Sequence, residues 1–280
     1  MAFNFEEKLL NASKNATLIV DSLNLAFRWK HRGSLDFRYE FAKTVESLAT
    51  SYGCKKIIIT ADMGGSSYRR AISPQYKQNR KDKVAEQTEE EKMAFEEFFE
   101  EFEESLTVLA EKYPVLRYKG VEADDIAAHL VKHKEEYDLD HIWLISSDRD
   151  WDLLVSESVG RFSYVTRKEV TLESWSDHYE VTPEEYISFK CLTGDKGDNV
   201  PGFPGVGPKK ALGLIQQYGD AFAVYDALPI SSKYKYIQAI NDNPEQILQN
   251  YELMDLITYC DEAIGAENIA DIQRRLISGV

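Results

Sequence analysis

The chain has 280 residues, of which 43% are hydrophobic and 29% charged, so it suits one large domain with a smaller companion. No apolar run of about 18 residues occurs, so no transmembrane helix is expected. The first residues lack the apolar core of a secretory signal, which predicts a cytoplasmic protein. The three cysteines lie far apart and indicate neither a disulfide framework nor a zinc knuckle. The net charge of −15 argues against a nucleic-acid partner only on average, because basic residues concentrate between residues 66 and 83.

Short apolar runs alternate with helical patterns through the first half of the chain. Strands are predicted at 16–20, 56–60, 115–118 and 141–146, and helices at about 41–52 and 122–133. Residues 161–172 resemble an antiparallel hairpin, and Thr182 with Pro183 opens a region that is helical throughout. Strands that alternate with helices imply a mostly parallel sheet. We therefore predict an α/β domain over 1–182 and a helical domain over 183–280.

A long insertion interrupts this alternation at about residues 66–112. Its first part is basic, and its second part is a helix with ten glutamates between Glu86 and Glu104. Phenylalanine and leucine residues form one stripe on that helix, which is typical of core packing. Long connections tend to be functional or disordered, so the insertion is a candidate part of a site.

Acidic side chains follow the predicted strands, where open α/β sheets bind ligands. Crowded carboxylates repel one another unless a cation lies among them, and hard oxygen ligands favour Mg²⁺ or Mn²⁺. Two such ions about 4 Å apart would activate water and stabilise a leaving oxygen. The candidate ligands are Asp21, Asp62, Glu122, Asp124, Asp125, Asp148, Asp150, Asp195 and Asp198.

A glycine-rich stretch from Gly194 to Ala211 precedes a predicted helix. Glycines allow close approach to a phosphate, and the first amides of a helix are natural anion donors. Gly205-Val206-Gly207, followed by Lys209 and Lys210, matches a helix-hairpin-helix, which grips a DNA backbone without reading sequence.

Three of these motifs together resemble the 5′→3′ exonuclease and flap endonuclease family: Val121-Glu-Ala-Asp-Asp125, Ser146-Ser-Asp-Arg-Asp150 and the stretch 194–207. Asp62 with Arg69, then Tyr76-Lys77 and Arg80, are similar to the arch signature of that family. The resemblance runs from about residue 16 to 260. It is closest to the stand-alone bacteriophage enzymes, since no polymerase domain follows.

The resemblance implies a PIN-like nuclease core, a helical arch over 66–112 and a C-terminal helical domain with a helix-hairpin-helix-type (H3TH) motif at about 190–219. It implies structure-specific cleavage of 5′ flaps and duplex 5′ ends in DNA, and of RNA primers, during replication and repair. Two Mg²⁺ ions would serve as cofactors, and Mn²⁺ can substitute. The expected partner is branched or 5′-ended DNA, met by a monomer in the cytoplasm of a bacterial host, with no membrane; replication proteins that bind the chain cannot be identified from the sequence.

The resemblance also implies roles for individual residues. Asp62, Glu122, Asp124 and Asp125 would serve the first metal with Asp21 close by, and Asp148, Asp150, Asp195 and Asp198 the second. Lys77 and Arg80 would stabilise the scissile phosphate, with Asp21 as a further catalytic residue. DNA would be contacted by Arg28, Arg69, Tyr76, Lys77, Arg80, Gly205, Val206, Gly207, Lys209 and Lys210, with the ring of Tyr76 facing an unpaired base. The carbonyls of Leu192, Thr193, Pro201, Phe203 and Val206 would hold K⁺.

Two other functions fit parts of the sequence. A PIN-like ribonuclease would cut single-stranded RNA and would not need residues 194–211, whereas a non-catalytic DNA-binding scaffold would be indifferent to loss of the acids. His129 and His133 are spaced i, i+4 on a predicted helix, but HLVKH lacks the glutamate and further ligands of a zincin. We therefore interpret this histidine pair as ordinary helix residues.

Overall fold

The computed structural model describes residues 16–33 and 36–277. Its centre is a six-stranded sheet in the order β3-β2-β1-β4-β5-β6, parallel except for β6, which runs antiparallel to β5. This is the mostly parallel sheet that the sequence predicts. The strands are β1 (Ala16–Asp21), β2 (Lys56–Thr60), β3 (Val115–Leu116), β4 (His141–Ile145), β5 (Val159–Ser163) and β6 (Lys168–Val170).

The described residues also form thirteen α-helices and two short 3₁₀ helices, Arg149–Leu154 and Trp175–Asp177. The helices of the first part are α1 (Ser22–Arg32), α2 (Arg38–Ser51), α3 (Ser67–Ile72), α4 (Gln78–Ala85), α5 (Glu89–Ala110) and α6 (Ala123–Lys132). Those of the second part are α7 (Pro183–Thr193), α8 (Pro208–Tyr218), α9 (Ala221–Asp226), α10 (Lys235–Asp242), α11 (Glu245–Met254), α12 (Leu256–Ile264) and α13 (Ala266–Ile277). None of the described helices is long and apolar enough to span a bilayer.

The sheet is buried on both faces because its side chains alternate between two apolar clusters. Leu18 and Val20 of β1 pack with α1, α2 and α5, whereas Ile19 packs with α6, α12 and α13. The apolar stripe of α5 lies in the first cluster, which confirms its predicted role in the core. Helices α12 and α13 end the C-terminal helical stretch, yet they pack against one face of the sheet.

Two local predictions differ from the structure. The third strand ends at Leu116 rather than at residue 118, because its neighbour β2 ends at Thr60 and leaves nothing to pair with the next residues. The i, i+2 spacing of Asp148 and Asp150 after the fourth predicted strand would point both carboxylates the same way from a strand end, but that strand ends at Ile145. Asp148 caps a 3₁₀ helix instead, and its Oδ1 accepts a hydrogen bond from the backbone N–H of Asp150 at 3.0 Å.

Candidate active site

The predicted acidic residues converge at the carboxyl ends of β1, β2 and β4. Asp21 ends β1, Asp62 lies two residues after β2, and Asp148 lies three residues after β4. Glu122 and Asp124 join them at the start of α6, whose first turn the structure places beside Asp62. The parallel register of the three strands therefore brings acids that are far apart in sequence to one edge of the sheet.

Four of these acids, here called the inner acids, accept hydrogen bonds from uncharged donors and form no salt bridge within the described part of the chain. They are Asp21, Asp62, Asp124 and Asp148. Asp21 Oδ2 accepts from the Ser146 hydroxyl at 2.7 Å, and Asp62 Oδ1 accepts from the Ala123 amide at 2.6 Å. The indole of Trp151 donates to Asp124 Oδ1, also at 2.6 Å. Neutral donors orient these carboxylates but do not balance their charge.

Burial raises the pKa values of three of the inner acids, Asp21, Asp62 and Asp124. Burial, with repulsion from Asp62 and Asp148, raises the pKa of Asp21 to about 7. Burial likewise raises the pKa of Asp62, and it raises that of Asp124 well above its ordinary value. Lys77 lowers the pKa values of Asp62 and Asp124 in part but forms no salt bridge with either of them. Burial also raises the pKa values of the paired acids Asp125 and Asp150, the latter to about 6, so the inner acids differ from the others in lacking a salt bridge to a described residue.

The remaining five acids, here called the outer acids, are each paired with a lysine or arginine of the chain. They are Glu122, Asp125, Asp150, Asp195 and Asp198. Burial works to raise the pKa of Glu122, but Lys77 and Arg69 together hold it below its ordinary value. Lys190 bridges Asp150 and Asp195, and its ammonium lies 3.1 Å from Asp195 Oδ2.

Arg69, a predicted DNA contact, and Asp125, a predicted metal ligand, form a buried ion pair with each other. Arg69 is 2% exposed, and two of its nitrogens each lie 2.8 Å from an oxygen of Asp125. A third nitrogen donates to the carbonyl of Leu253 in α11. The guanidinium is enclosed and contacts both carboxylate oxygens, and the DNA contact of Arg69 and the metal ligation by Asp125 stay predictions.

The insertion places Tyr76, Lys77 and Arg80 directly against the outer acids. Tyr76 is 4% exposed, and its hydroxyl donates to Glu122 at 3.1 Å and to Asp198 at 3.0 Å. The ring is buried in this structure, and its contact with an unpaired base of DNA stays a prediction. Lys77 Nζ lies 2.8 Å from Glu122 Oε1, and Arg80 pairs with Asp198.

Lys77 also has an unusual backbone conformation. Its φ of 54° lies in the left-handed region, where residues other than glycine are uncommon. Its backbone N–H donates to the carbonyl of Asp198 at 2.9 Å, which ties the start of α4 to the glycine-rich stretch. Strain of this kind is often stored at functional sites.

The glycine-rich turn between α7 and α8 presents the first amides of α8 and two lysines to solvent. Gly205 has a φ of 78°, Gly207 caps α8, and Pro208 occupies its first turn. Lys209 and Lys210 are exposed, and Lys210 Nζ donates to the carbonyl of Gly205 at 2.7 Å. A groove opens beside this turn, lined by Pro204, Gly205, Lys210, Tyr234, Lys235 and Tyr236.

Comparison with known proteins identifies the family. The model of the 5′-3′ exonuclease N-terminal resolvase-like domain matches residues 16–181, and that of the 5′-3′ exonuclease C-terminal SAM fold matches residues 181–275. The chain belongs to the 5′-3′ exonuclease family. Membership in this family confirms the predicted fold class and the predicted function as a structure-specific 5′ nuclease.

Individual relatives of this exonuclease family agree closely with the chain. The flap endonuclease of Escherichia phage T5 is 41% identical over 263 residues, which cover 93% of this chain and 90% of the relative. A crystal structure of the phage enzyme in a pseudo-enzyme-product complex with DNA and metal ions superposes with a TM-score of 0.90 at 39% identity, covering 94% of this chain and 98% of the other. A structure of the phage T5 5′-exonuclease with bound divalent zinc ions has a TM-score of 0.89 at 39% identity and covers 95% and 99% of the two chains.

Three side chains that orient the acids of this family member were not predicted from the sequence. Lys190 lies on α7 and pairs with two outer acids, while Ser146 and Trp151 donate to inner acids. Ser146 stands inside the motif Ser146-Ser-Asp-Arg-Asp150, so its position two residues before Asp148 was a usable signal. Lys190 offered none, because it lies 40 residues from Asp150 in the chain.

The structure also shows the surroundings of Arg28, a predicted DNA contact, and of Pro201, a predicted K⁺ ligand. Arg28 lies over the ring of Tyr164, 4.3 Å from its centroid, and is half-buried. The carbonyl of Pro201 accepts amide hydrogen bonds from Gln246 at 2.9 Å and Asn250 at 2.8 Å. These two bonds use both lone pairs of that oxygen, and its role as a K⁺ ligand stays a prediction.

Proposed function

We propose that the chain cuts 5′ flaps and duplex 5′ ends of DNA by direct attack of water, with two Mg²⁺ ions held at the acidic cluster. The observation that carries this proposal is the set of four inner acids that form no salt bridge with any described residue, beside basic side chains supplied by the insertion. The phage T5 relative is a flap endonuclease with a structure that contains DNA and metal ions, which supports both the substrate and the cofactor.

The residues present fit hard divalent ions. Their donor atoms are carboxylate oxygens, which suit Mg²⁺ or Mn²⁺ better than softer metals. Asp21, Asp62, Asp124 and Asp148 would hold the ions, together with Glu122 and members of the Asp150, Asp195 and Asp198 group. When bound, the ions would supply a nucleophilic water and charge stabilisation at the leaving oxygen.

Basic residues of the insertion would act on the phosphate itself. Lys77 and Arg80 lie at the entrance to the cluster, and their charged groups are paired with Glu122 and Asp198. A phosphodiester that enters would offer these donors an anionic oxygen in place of a carboxylate. Donors already fixed in position stabilise developing charge without reorganisation, which typically contributes 10²–10³-fold in rate.

Other side chains would hold the acids in place. Ser146 joins Asp21 to the turn that carries Asp148, since its hydroxyl donates to Asp21 and accepts from the Asp148 amide at 3.0 Å. Lys190 fixes Asp150 and Asp195 relative to each other. We assign these two residues positioning roles rather than contact with the substrate.

The turn before α8 would grip the duplex. The amides after Gly207 and the ammonium groups of Lys209 and Lys210 can meet phosphate oxygens, which gives affinity without sequence specificity. The neighbouring groove with Tyr234 and Tyr236 extends this surface. A K⁺ ion held by the carbonyls of Leu192, Thr193, Pro201, Phe203 and Val206 stays part of the proposal, with Arg28 as a further phosphate contact.

A labelled 5′-flap duplex tests the proposal. We expect the wild-type chain to release the flap in Mg²⁺ but not in EDTA, and Asp148→Asn to lose cutting while it retains DNA binding. Cutting in EDTA, or a wild-type rate for Asp148→Asn, would overturn the metal assignment. Cleavage of single-stranded RNA without cleavage of the flap would overturn the substrate assignment.

A further inference from the structure

Two histidines and an aspartate meet where α6 packs against α12. His129 and His133 lie one turn apart on α6, and Asp261 faces them from α12. Asp261 Oδ1 lies 2.6 Å from His129 Nδ1 and 3.3 Å from His133 Nε2. Ligand atoms at the corners of a tetrahedral Zn²⁺ site lie about 3.3 Å apart, so a small lengthening of the first contact would suffice.

The outer ring nitrogens of both histidines are already hydrogen-bonded. His129 Nε2 lies 2.7 Å from the hydroxyl of Tyr137, and His133 Nδ1 lies 3.0 Å from a carboxylate oxygen of Glu136. Histidines that bind a metal through one nitrogen almost always bond a partner through the other, which fixes the ring and its tautomer. Both histidines have such a second hydrogen-bond partner in this structure.

The charges around the cluster set which protons a cation must displace. Burial lowers the pKa of His129, which keeps its imidazole neutral, whereas burial of His133 is outweighed by its bonds to Glu136 and Asp261, which raise its pKa. Burial works to raise the pKa of Asp261, but the bonds to His129, Lys132 and His133 hold it far below its usual range. The facing groups are Lys132, whose ammonium lies 2.9 Å from Asp261 Oδ2, and Glu136 on the outer side of His133. The ammonium of Lys132 contacts Asp261 Oδ2, and Asp261 Oδ1 is the oxygen that lies within 3.3 Å of a nitrogen of each imidazole ring.

We propose that His129, His133 and Asp261 form a second metal site, separate from the acidic cluster, that binds Zn²⁺ and joins α6 to α12. Imidazole ligands select Zn²⁺ and similar transition metals, whereas Mg²⁺ prefers oxygen. The side chains of His133 and Asp261 are 26% and 29% exposed, so the site is open to solvent and can take a water as its fourth ligand.

The metal would replace protons that now hold the cluster together. In the metal-free protein, the two rings donate N–H groups toward Asp261. On binding, His133 Nε2 gives up its proton to solvent and keeps the N–H at Nδ1, whereas neutral His129 releases no net proton: its single proton moves from Nδ1 to Nε2, where it donates to the hydroxyl of Tyr137. Since the inner acid Asp124 lies in the first turn of α6, the site would stiffen the helix that carries part of the acidic cluster.

Zinc binding in saturating Mg²⁺ tests the proposal, with Mg²⁺ added to occupy the acidic cluster. We expect His133→Gln and Asp261→Asn each to bind one Zn²⁺ fewer than the wild type in equilibrium dialysis. At a Zn²⁺ concentration of about 100 times Kd, the wild-type Tm should rise by about 5 °C more than that of either variant. The control His141→Gln removes an exposed histidine at the start of β4 and should bind as the wild type does.

Histidine ¹H–¹⁵N spectra of the wild type provide a second measurement that does not depend on variant folding. Added Zn²⁺ should shift Nδ1 of His129 and Nε2 of His133. Equal zinc stoichiometry in the wild type, His133→Gln and Asp261→Asn would overturn the proposal, as would spectra in which only the other histidines respond. Loss of flap cutting in the assay above would not bear on this site, because its readouts are binding and Tm.

Discussion

The inner and outer acids lie side by side yet balance their charge in opposite ways. Each outer acid has a lysine or arginine of the chain as its partner, as Asp125 has Arg69. Each inner acid is held by a hydroxyl, an indole or a backbone amide, and burial raises the pKa of Asp21 to about 7. The contrast separates acids that are paired with a basic side chain of the chain itself from acids that form no salt bridge with the described residues, although all nine look alike in the sequence.

The largest expected effect is that of removing the negative charge from one inner acid. We expect Asp124→Asn to lower Mg²⁺-dependent flap cutting by about 10³-fold or more, because the amide still accepts from Trp151 but no longer carries the charge that a metal requires. The metal-free variant should be at least as stable as the wild type, since an unpaired buried charge is removed. Initial cutting rates and urea unfolding in EDTA measure the two effects.

The matched control for this prediction is Asp140→Asn, which removes the same charge at an exposed loop position. It should change neither rate nor stability. If Asp124→Asn instead destabilised the metal-free protein by several kcal/mol, Asp124 would belong with the outer acids and the division would fail.

An outer pair should behave in the opposite manner. We expect Arg69→Met to lower the free energy of unfolding by about 3–5 kcal/mol, because it leaves Asp125 buried and uncompensated. The double variant Arg69→Met with Asp125→Leu should recover much of that loss, since replacing both charges by apolar groups is often neutral. Urea unfolding of the set measures both terms. A double variant no more stable than the single one would show that the pair does not act as a unit.

The convergence of the acids could be predicted from the sequence, but their division could not. Asp21, Asp62 and Asp148 each follow a strand of one parallel sheet, so their meeting follows from the strand pattern alone. Which acids are neutralised depends on long-range packing: Arg69 reaches Asp125 across 56 residues, and Lys190 reaches Asp150 across 40. The burial of the Tyr76 ring could not be predicted from the sequence for the same reason, because its contacts with Glu122 and Asp198 also join distant parts of the chain.

The next effect concerns pH. The pKa of Asp21 is about 7 in the folded chain against 3.8 for the free side chain, so protonated Asp21 favours folding at low pH and this contribution is lost as pH rises toward 7. Metal-free wild type should therefore lose roughly 3 kcal/mol of stability between pH 5 and pH 8 relative to Asp21→Asn. Unfolding by urea in EDTA at both pH values measures the difference.

Added Mg²⁺ provides the control, because an ion bound to the cluster should remove the disadvantage of the ionised Asp21 at pH 8. Identical pH profiles for the wild type and Asp21→Asn would place Asp21 outside the uncompensated group. The inner acids would then be reduced to those beside α6 and the turn after β4.

The smallest effect should come from Tyr76, which touches two outer acids through one hydroxyl. Tyr76→Phe removes hydrogen bonds to Glu122 and Asp198, yet these acids keep Lys77 and Arg80, so we expect a stability loss of about 1–2 kcal/mol and a fall in cutting of less than tenfold. Tyr76→Leu sharpens the result, because it removes the ring as well. If the ring serves only the packing seen here, Leu should lower stability further without lowering the rate at saturating DNA beyond that of Phe. A large additional fall in that rate would mean that the insertion rearranges on DNA and exposes the ring to a base, as the sequence first suggested.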